Sequence, residues 1–192
     1  MPNYCNNILV LKNTDPAQIT KAAEALKAGD FLKTFIPIPD ELKDTTAPAK
    51  EGTSSVIYNG QEYTDWYMFC VNEWGTKWDV DAYNDAEISE DGTELTVSFD
   101  SAWSPPTEAY RKLEEQGFEI DAMYYEPGMG FCGEYSDGFD ETYEISGNAD
   151  DVDAEIPERI NEAFCIAENI RMWEEDMENE PTIDAYDPPA EE

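Results

Sequence analysis

The order of hydrophobic patterns along this chain constrains its fold more strongly than any other feature. An apolar run at residues 6–11 predicts a strand, and helical spacing between Asp15-Pro16 and Gly29 predicts a helix that starts and stops at those signals. A second helix is predicted from Ser104-Pro105 to Gly117, and a short buried helix follows Asp65. Period-two alternation predicts strands at residues 78–83, 94–99, 118–124, 131–135 and 142–145.

This succession of strand, helix, strands, helix, strands is typical of the split β-α-β or ferredoxin-like plan. We therefore predict an α+β fold, in which an antiparallel sheet carries two helices on one face. Residues 37–65 are rich in turn formers and predict a long loop. The Gly128–Gly133 segment spells GxGxxG, but the sequence after it predicts a strand rather than a helix, so we interpret it as a hairpin and expect no dinucleotide.

The C-terminal part of the chain has a different composition. Apolar residues from Ile156 to Ile170 recur at helical spacing, with Pro157 in the first turn, and predict one long amphipathic helix. We predict three regions: a domain at 1–148, an acidic amphipathic helix at 149–180 and an acidic tail at 181–192. The apolar stripe packs either on the chain's own sheet or on a second copy, which leaves a homodimer possible.

Acidic charge is distributed unevenly along the 192 residues. Residues 1–60 carry 6 Lys/Arg against 7 Asp/Glu, and residues 61–192 carry 5 against 38. The second part carries the charge of about 56 Å of duplex DNA, whereas a domain of this length is about 40 Å across. We therefore expect a partner with a basic surface rather than an anionic ligand.

Composition narrows the possible functions further. Histidine is absent, which removes the commonest general base and transition-metal ligand, so we predict no enzyme, no cofactor and no metal centre. The four cysteines are widely spaced within apolar segments and predict buried reduced thiols. No membrane span or signal peptide is recognisable, so we predict a cytoplasmic protein. The tryptophans at 66, 74, 78 and 103 are interpreted as core residues.

Four segments together resemble a known family. They are MPNYCNN at 1–7, NEWGTKWD at 72–79, AWSPP at 102–106 and YEPGMGF at 125–131. In this order they resemble the YubB ferredoxin-like family, found on bacteriophages and conjugative plasmids, over residues 1–146. The resemblance implies a ferredoxin-like fold and an origin on a mobile element, and it implies no enzymatic activity.

Charge and resemblance together suggest a DNA mimic. Such a protein would occupy the DNA-binding surface of a host defence or DNA-processing protein, as an inhibitor of the anti-restriction or anti-CRISPR type, and would not bind nucleic acid itself. The alternatives are a non-inhibitory acidic interaction module and acidity that serves solubility alone. The near-neutral first 60 residues argue against the last of these, because a solubility adaptation predicts evenly spread charge.

Candidate partner-binding residues lie in three groups. Spacings of three and four residues place the first group on one face of the predicted C-terminal helix, and the second group crowds its end. The third group lies on the outward face of the predicted strand at 78–83, with Trp78 and Val80 facing inward. The groups are, in order, Glu155, Glu158 and Glu162; Glu174, Glu175 and Asp176; and Asp79 and Asp81.

Overall fold

The computed structural model describes residues 3–179 of the chain. Its strands are β1 (Tyr4–Lys12), β2 (Val56–Tyr58), β3 (Gln61–Tyr63), β4 (Glu87–Ile88), β5 (Glu94–Ala102), β6 (Glu119–Glu126), β7 (Phe131–Ser136) and β8 (Phe139–Glu144). Its helices are α1 (Pro16–Ala28), α2 (Phe31–Phe35), α3 (Asp40–Lys43), α4 (Trp66–Trp74), α5 (Thr107–Glu115), α6 (Ala149–Glu155), α7 (Glu158–Phe164) and α8 (Ile166–Asn179). The described residues form two compact units, divided between Ile145 and Ser146.

The first unit contains a six-stranded antiparallel sheet in the order β4-β5-β1-β6-β7-β8. In the first four of these strands, β5 lies between β4 and β1, and β6 lies on the other side of β1. Helix α1 follows β1, and α5 connects β5 to β6. This is the ferredoxin-like arrangement predicted from the sequence, extended by the β7–β8 hairpin, and it confirms the α+β fold class.

The core lies on the face of the sheet that carries α1 and α5. Leu9 of β1 is paired with Val97 of β5 and with Ala122 of β6, so these three side chains lie on one face. They belong to the same buried cluster as Leu26 of α1 and Leu113 of α5. This arrangement confirms that both helices cover one face of the sheet.

Local signals explain α1 well. The carboxylate of Asp15 accepts a hydrogen bond from the Ala17 backbone N–H at 3.0 Å, Pro16 occupies the first turn, and Gly29 ends the helix with φ 69°. The helix at 66–74 is capped in the same way, because Asp65 accepts from the Met68 N–H at 2.8 Å. Helix α1 was predicted from its cap signals, whereas the short buried helix after Asp65 was predicted without its cap.

The segment at 37–65 is more ordered than predicted. It contains α3 and a β2–β3 hairpin whose turn, Asn59-Gly60, has φ 48° and φ 83°. Positive φ at both central residues is the requirement of a type I′ turn, which Asn-Gly meets at low cost. Asn59-Gly60 is therefore a sequence signal for this turn. The strands beside it are too short to show a clear alternation of apolar and polar residues, so the hairpin was not predicted.

Some elements of the sheet domain depart from their predicted bounds, and β8 begins at Phe139 rather than at residue 142. Residues 78–83 form no strand apart from one bridge between Ala82 and Phe99, and β4 takes the predicted place beside β5. Helix α5 starts at Thr107 rather than Pro105. The Ser104 hydroxyl donates to the Gly75 carbonyl at 2.6 Å, and no side chain caps α5. Pro106 disfavours a helical conformation at the residue before it.

The C-terminal unit, which we call the helical unit (residues 146–179), contains three helices where the sequence predicted one. Ile156 is extended (φ −93°, ψ 134°) before Pro157, and Cys165 ends α7 with φ 52°. Proline restricts the residue before it and lacks an N–H, which explains the first break. The predicted tail at 181–192 lies outside the described residues.

Three of the four cysteines are buried as predicted, and the fourth is not. Burial raises the pKa of Cys70 to about 12 and that of Cys132 to about 11, and it also raises that of Cys5. Cys165, the residue that ends α7, is exposed. None of the helices that the structure describes is long and apolar enough to span a membrane.

Candidate interaction surfaces

The helical unit carries the densest charge of the described chain. Residues 146–179 include 11 acidic residues and 2 arginines. We use the name acidic surface for its six sequence-predicted residues, Glu155, Glu158, Glu162, Glu174, Glu175 and Asp176. All are exposed except Glu174, which is half-buried.

The break before Pro157 changes how the first three of these carboxylates are arranged. Glu155 is the last residue of α6, whereas Glu158 and Glu162 lie one turn apart on α7. The predicted single face therefore holds for Glu158 and Glu162 and is wrong for Glu155. The structure brings Glu158 and Glu162 together by helix spacing alone.

Large apolar side chains are exposed beside the acidic residues of α8. Trp173 is 64% exposed, Met172 60% and Met177 53%. Trp173 and Met177 are four residues apart and share one face of the helix, and both line a surface cleft with Glu174.

Arg171 neutralises part of the charge inside the helical unit. Its guanidinium donates to the carboxylate of Asp153 and lies 3.6 Å from Asp150, which links α8 to α6. Asp153 also accepts from the Asn161 amide at 2.8 Å. Asp150 and Asp153 are thus engaged within the fold, whereas the acidic surface is a separate set of residues.

We expect the Arg171 link to make the helical unit sensitive to acid. The hydrogen bond from Arg171 lowers the pKa of Asp153, so its stabilisation is complete above about pH 4, the unfolded value, and is lost as pH falls through the lowered value. Amide exchange should show protection of α6 falling between these limits. The Arg171→Gln variant should be less protected at neutral pH and lose less on acidification; equal losses would contradict this assignment.

The third predicted group is divided by the structure. Asp79 is half-buried, and its carboxylate accepts from the backbone N–H groups of Leu32 at 2.7 Å, Lys33 at 2.9 Å and Val80 at 2.9 Å. It therefore caps α2 from a distant part of the chain. Asp81 is exposed. The prediction that both lie on one outward face of a strand is wrong, because the capping contact directs Asp79 toward α2.

Asp79→Ala should lower the free energy of unfolding by about 1–2 kcal/mol, because the first backbone N–H groups of α2 lose their acceptor. Burial raises the pKa of Asp79 in the folded state above its unfolded value. The stability that this acid contributes therefore falls as pH rises through the folded-state pKa. Urea unfolding at neutral pH measures the effect. Asp81→Ala, an exposed neighbour, is the control and should cost close to nothing; equal losses would argue against the cap.

Three aromatic rings surround one lysine in the sheet domain. The Lys77 Nζ lies 4.6 Å from the ring centroid of Trp78, 5.0 Å from that of Trp103 and 5.8 Å from that of Tyr67. These distances are within the range of cation–π contacts. We call this cluster the aromatic site. Trp78 is 40% exposed and Trp103 41%, so interpreting them as core residues is wrong, whereas Trp74 is buried.

The backbone of Trp103 has an unusual conformation for a bulky residue. Its φ is 69°, and its N–H donates to the Asn3 carbonyl at 3.0 Å. At the preceding residue, the Thr76 hydroxyl donates to the Ala102 carbonyl and accepts from the Ala102 N–H, each at 3.0 Å. The left-handed region is rare for large side chains and costs free energy, so these bonds hold Trp103 in place against local preference.

Two buried glutamates were not singled out from the sequence. Glu73 accepts from the Lys112 ammonium and from the Tyr63 hydroxyl, and Glu126 accepts from the Met129 N–H in the β6–β7 turn. Both are at most 6% exposed. With so many carboxylates in the chain, sequence alone offered no signal for these two. Among residues 3–179, no three acidic or thiol side chains are grouped to hold a metal ion.

The fold and these surfaces define a ferredoxin-like domain joined to an acidic helical unit. The chain belongs to the family whose model is described as the ferredoxin-like domain in Api92-like protein, which matches residues 73–180. A solved structure, protein api92 from Yersinia pseudotuberculosis, is similar at 12% identity and a TM-score of 0.36, over 77% of this chain and 99% of that chain. No curated protein sequence matches the chain.

The family match adds one fact that the sequence resemblance lacked. The resemblance ended at residue 146, whereas the family match continues through α6, α7 and α8. The helical unit is thus part of the matched family domain. The YubB resemblance, the mobile-element origin that it implies and the absence of enzymatic activity stay predictions.

Proposed function

We propose that this chain is an acidic accessory protein of a phage or plasmid that acts as a DNA mimic. It would occupy the DNA-binding surface of a host defence or DNA-processing protein, as an inhibitor of the anti-restriction or anti-CRISPR type, in the bacterial cytoplasm. One observation supports this most: α8 places exposed Trp173 and Met177 among the carboxylates of the acidic surface. A mimic needs both the charge and an apolar anchor.

Helix stability does not explain the acids on α8. Asp176 lies in its last described turn, where negative charge opposes the helix dipole, and Glu174 and Glu175 add like charge beside it. Glu158 and Glu162 on α7 repel each other at a spacing of four residues. Solubility of a small domain needs a net charge of only about 2–8, and this chain has −34. Binding to a basic surface is the interpretation that accounts for the excess.

The proposed mechanism is competition for a groove. Long-range attraction speeds the encounter with a basic surface, and this part of the affinity falls as salt screens the charges. Trp173 supplies a contact that salt affects less, because aromatic anchors derive their contribution from burial and packing. The inhibited protein loses its DNA because both ligands need the same surface.

The test is capture of bacterial proteins on the immobilised full chain from nuclease-treated lysate. We expect retention of one or a few DNA-binding proteins that are released by added duplex DNA and by salt. The matched control is the Trp173→Ala chain, which should retain them less tightly at the same net charge. A retained protein that is indifferent to DNA would contradict the mimic and indicate a non-inhibitory acidic module instead. If no protein is retained, solubility becomes the better explanation of the acidity.

A further inference from the structure

We propose that the aromatic site binds an arginine side chain of the basic partner, and that Lys77 fills this site in the free protein. This inference rests on the proposed function, since it names a second contact for the same class of partner. It concerns Tyr67, Trp78 and Trp103 of the sheet domain, which the acidic surface does not include. No charge argument from the sequence singles them out.

The first support is the conformation of Trp103. A tryptophan with φ 69° is strained, and with 41% of its surface exposed it gains only part of the burial that would offset the strain. Stability of the fold therefore gives a weak reason to place a large ring here. Strained residues that a network of hydrogen bonds holds in place are typical of binding and catalytic sites. The bonds at Ala102 and Trp103 form such a network.

The second support is the resident cation. Among the described lysines, Lys12, Lys27, Lys33, Lys43 and Lys112 each contact a carboxylate. Lys77 instead contacts three rings, and Lys21 contacts one, that of Phe35 at 4.3 Å, in a chain that has 45 acidic residues. The geometry thus accepts a cation between the rings. Such an arrangement of aromatic rings is one that proteins use to bind ligand cations.

The choice of arginine follows from the shape and hydration of its side chain. A guanidinium is planar, stacks on aromatic faces and is more weakly hydrated than an ammonium, so it is favoured over lysine where rings are exposed. Arginine is also the basic residue most enriched at protein interfaces. A partner arginine can therefore displace the Lys77 ammonium, which returns to water at little cost.

The test uses the full chain and two probes, octa-arginine and octa-lysine peptides. Affinities are measured by tryptophan fluorescence at ionic strengths of about 0.15 M and 1 M, because the higher value shortens the Debye length to about 3 Å and suppresses general attraction. At high salt, Trp103→Gly should weaken octa-arginine binding by about twofold to fivefold, the loss of one cation–π contact, and should affect octa-lysine less. Trp78→Ala should behave alike.

Control variants separate the site from general effects. Phe139→Ala removes a 78% exposed ring elsewhere in the sheet domain and should leave both affinities unchanged. Lys77→Met should strengthen octa-arginine binding at high salt more than Lys50→Met, which removes the same charge from an exposed position. Thermal unfolding checks that Trp103→Gly remains folded, since glycine tolerates positive φ.

Two results would overturn the inference. One is unchanged octa-arginine affinity in both Trp103→Gly and Trp78→Ala at high salt, and the other is equal effects of Lys77→Met and Lys50→Met. Because this experiment contains neither a host protein nor DNA, its outcome is independent of the capture experiment. Failure of DNA competition with a positive peptide result would reject the mimic and retain the arginine site.

Discussion

Replacing Lys112 with Met should lower the free energy of unfolding by about 3–5 kcal/mol, the largest stability loss that we expect from one substitution in this chain. The Lys112 ammonium donates to the Glu73 carbonyl at 2.7 Å and to the Glu73 carboxylate, and the Glu73 side chain is only 7% exposed. Without Lys112, the buried Glu73 carboxylate loses its countercharge and keeps the hydrogen bond from the Tyr63 hydroxyl. Urea unfolding measures the loss.

Two further variants define the cause of that loss. Arg111→Met removes the neighbouring charge, whose partner Glu108 forms an exposed pair, and should cost at most about 1 kcal/mol. Adding Glu73→Gln to Lys112→Met should recover part of the loss, because the buried group is then neutral. If Lys112→Met costs no more than Arg111→Met, the buried pair does not stabilise this domain.

Charge reversal of three residues of the acidic surface should have the largest effect on binding. Changing Glu155, Glu158 and Glu162 together to lysine replaces attraction with repulsion against a basic groove, so affinity for the captured partner should fall by about 100-fold or more at low salt. The difference between variant and wild type should shrink as ionic strength rises. Affinity is measured by titration of the purified partner at several salt concentrations.

A matched variant shows whether position or net charge matters. Glu24, Glu41 and Glu51 are exposed residues of the near-neutral first part of the chain, and their change to lysine alters net charge equally. We expect a much smaller loss of affinity from this control. Equal losses in the two triple variants would mean that overall charge, rather than the acidic surface, attracts the partner.

Local sequence signals were sufficient for much of the fold. Asp15-Pro16 and Gly29 marked the ends of α1, and alternation predicted β5, β6 and β7 within a few residues. These features are determined by neighbours in sequence, so a reader of the sequence can find them. Pro157 was also visible, but helical spacing across it favoured one long helix. The restriction that proline places on Ile156 decides the break.

The candidate site depends on contacts that sequence does not reveal. Asp79 caps a helix 47 residues away, and Lys112 reaches Glu73 over 39 residues. Which of many carboxylates is buried or engaged follows from the packing of the whole domain. The aromatic site likewise needs Tyr67 and Trp103 to meet at Lys77. The charge asymmetry indicated a basic partner, but only the structure shows that acids such as Asp79 and Glu73 are engaged within the fold.

The most direct test of the DNA-mimic proposal is a competition titration with the captured host protein and a fluorescently labelled duplex that it binds. Fluorescence anisotropy should show complete release of the duplex as the chain is added, and gel filtration should show a complex of chain and host protein that contains no DNA. A ternary complex in which the duplex stays bound would contradict the account, because the chain would then occupy a surface other than the DNA-binding one.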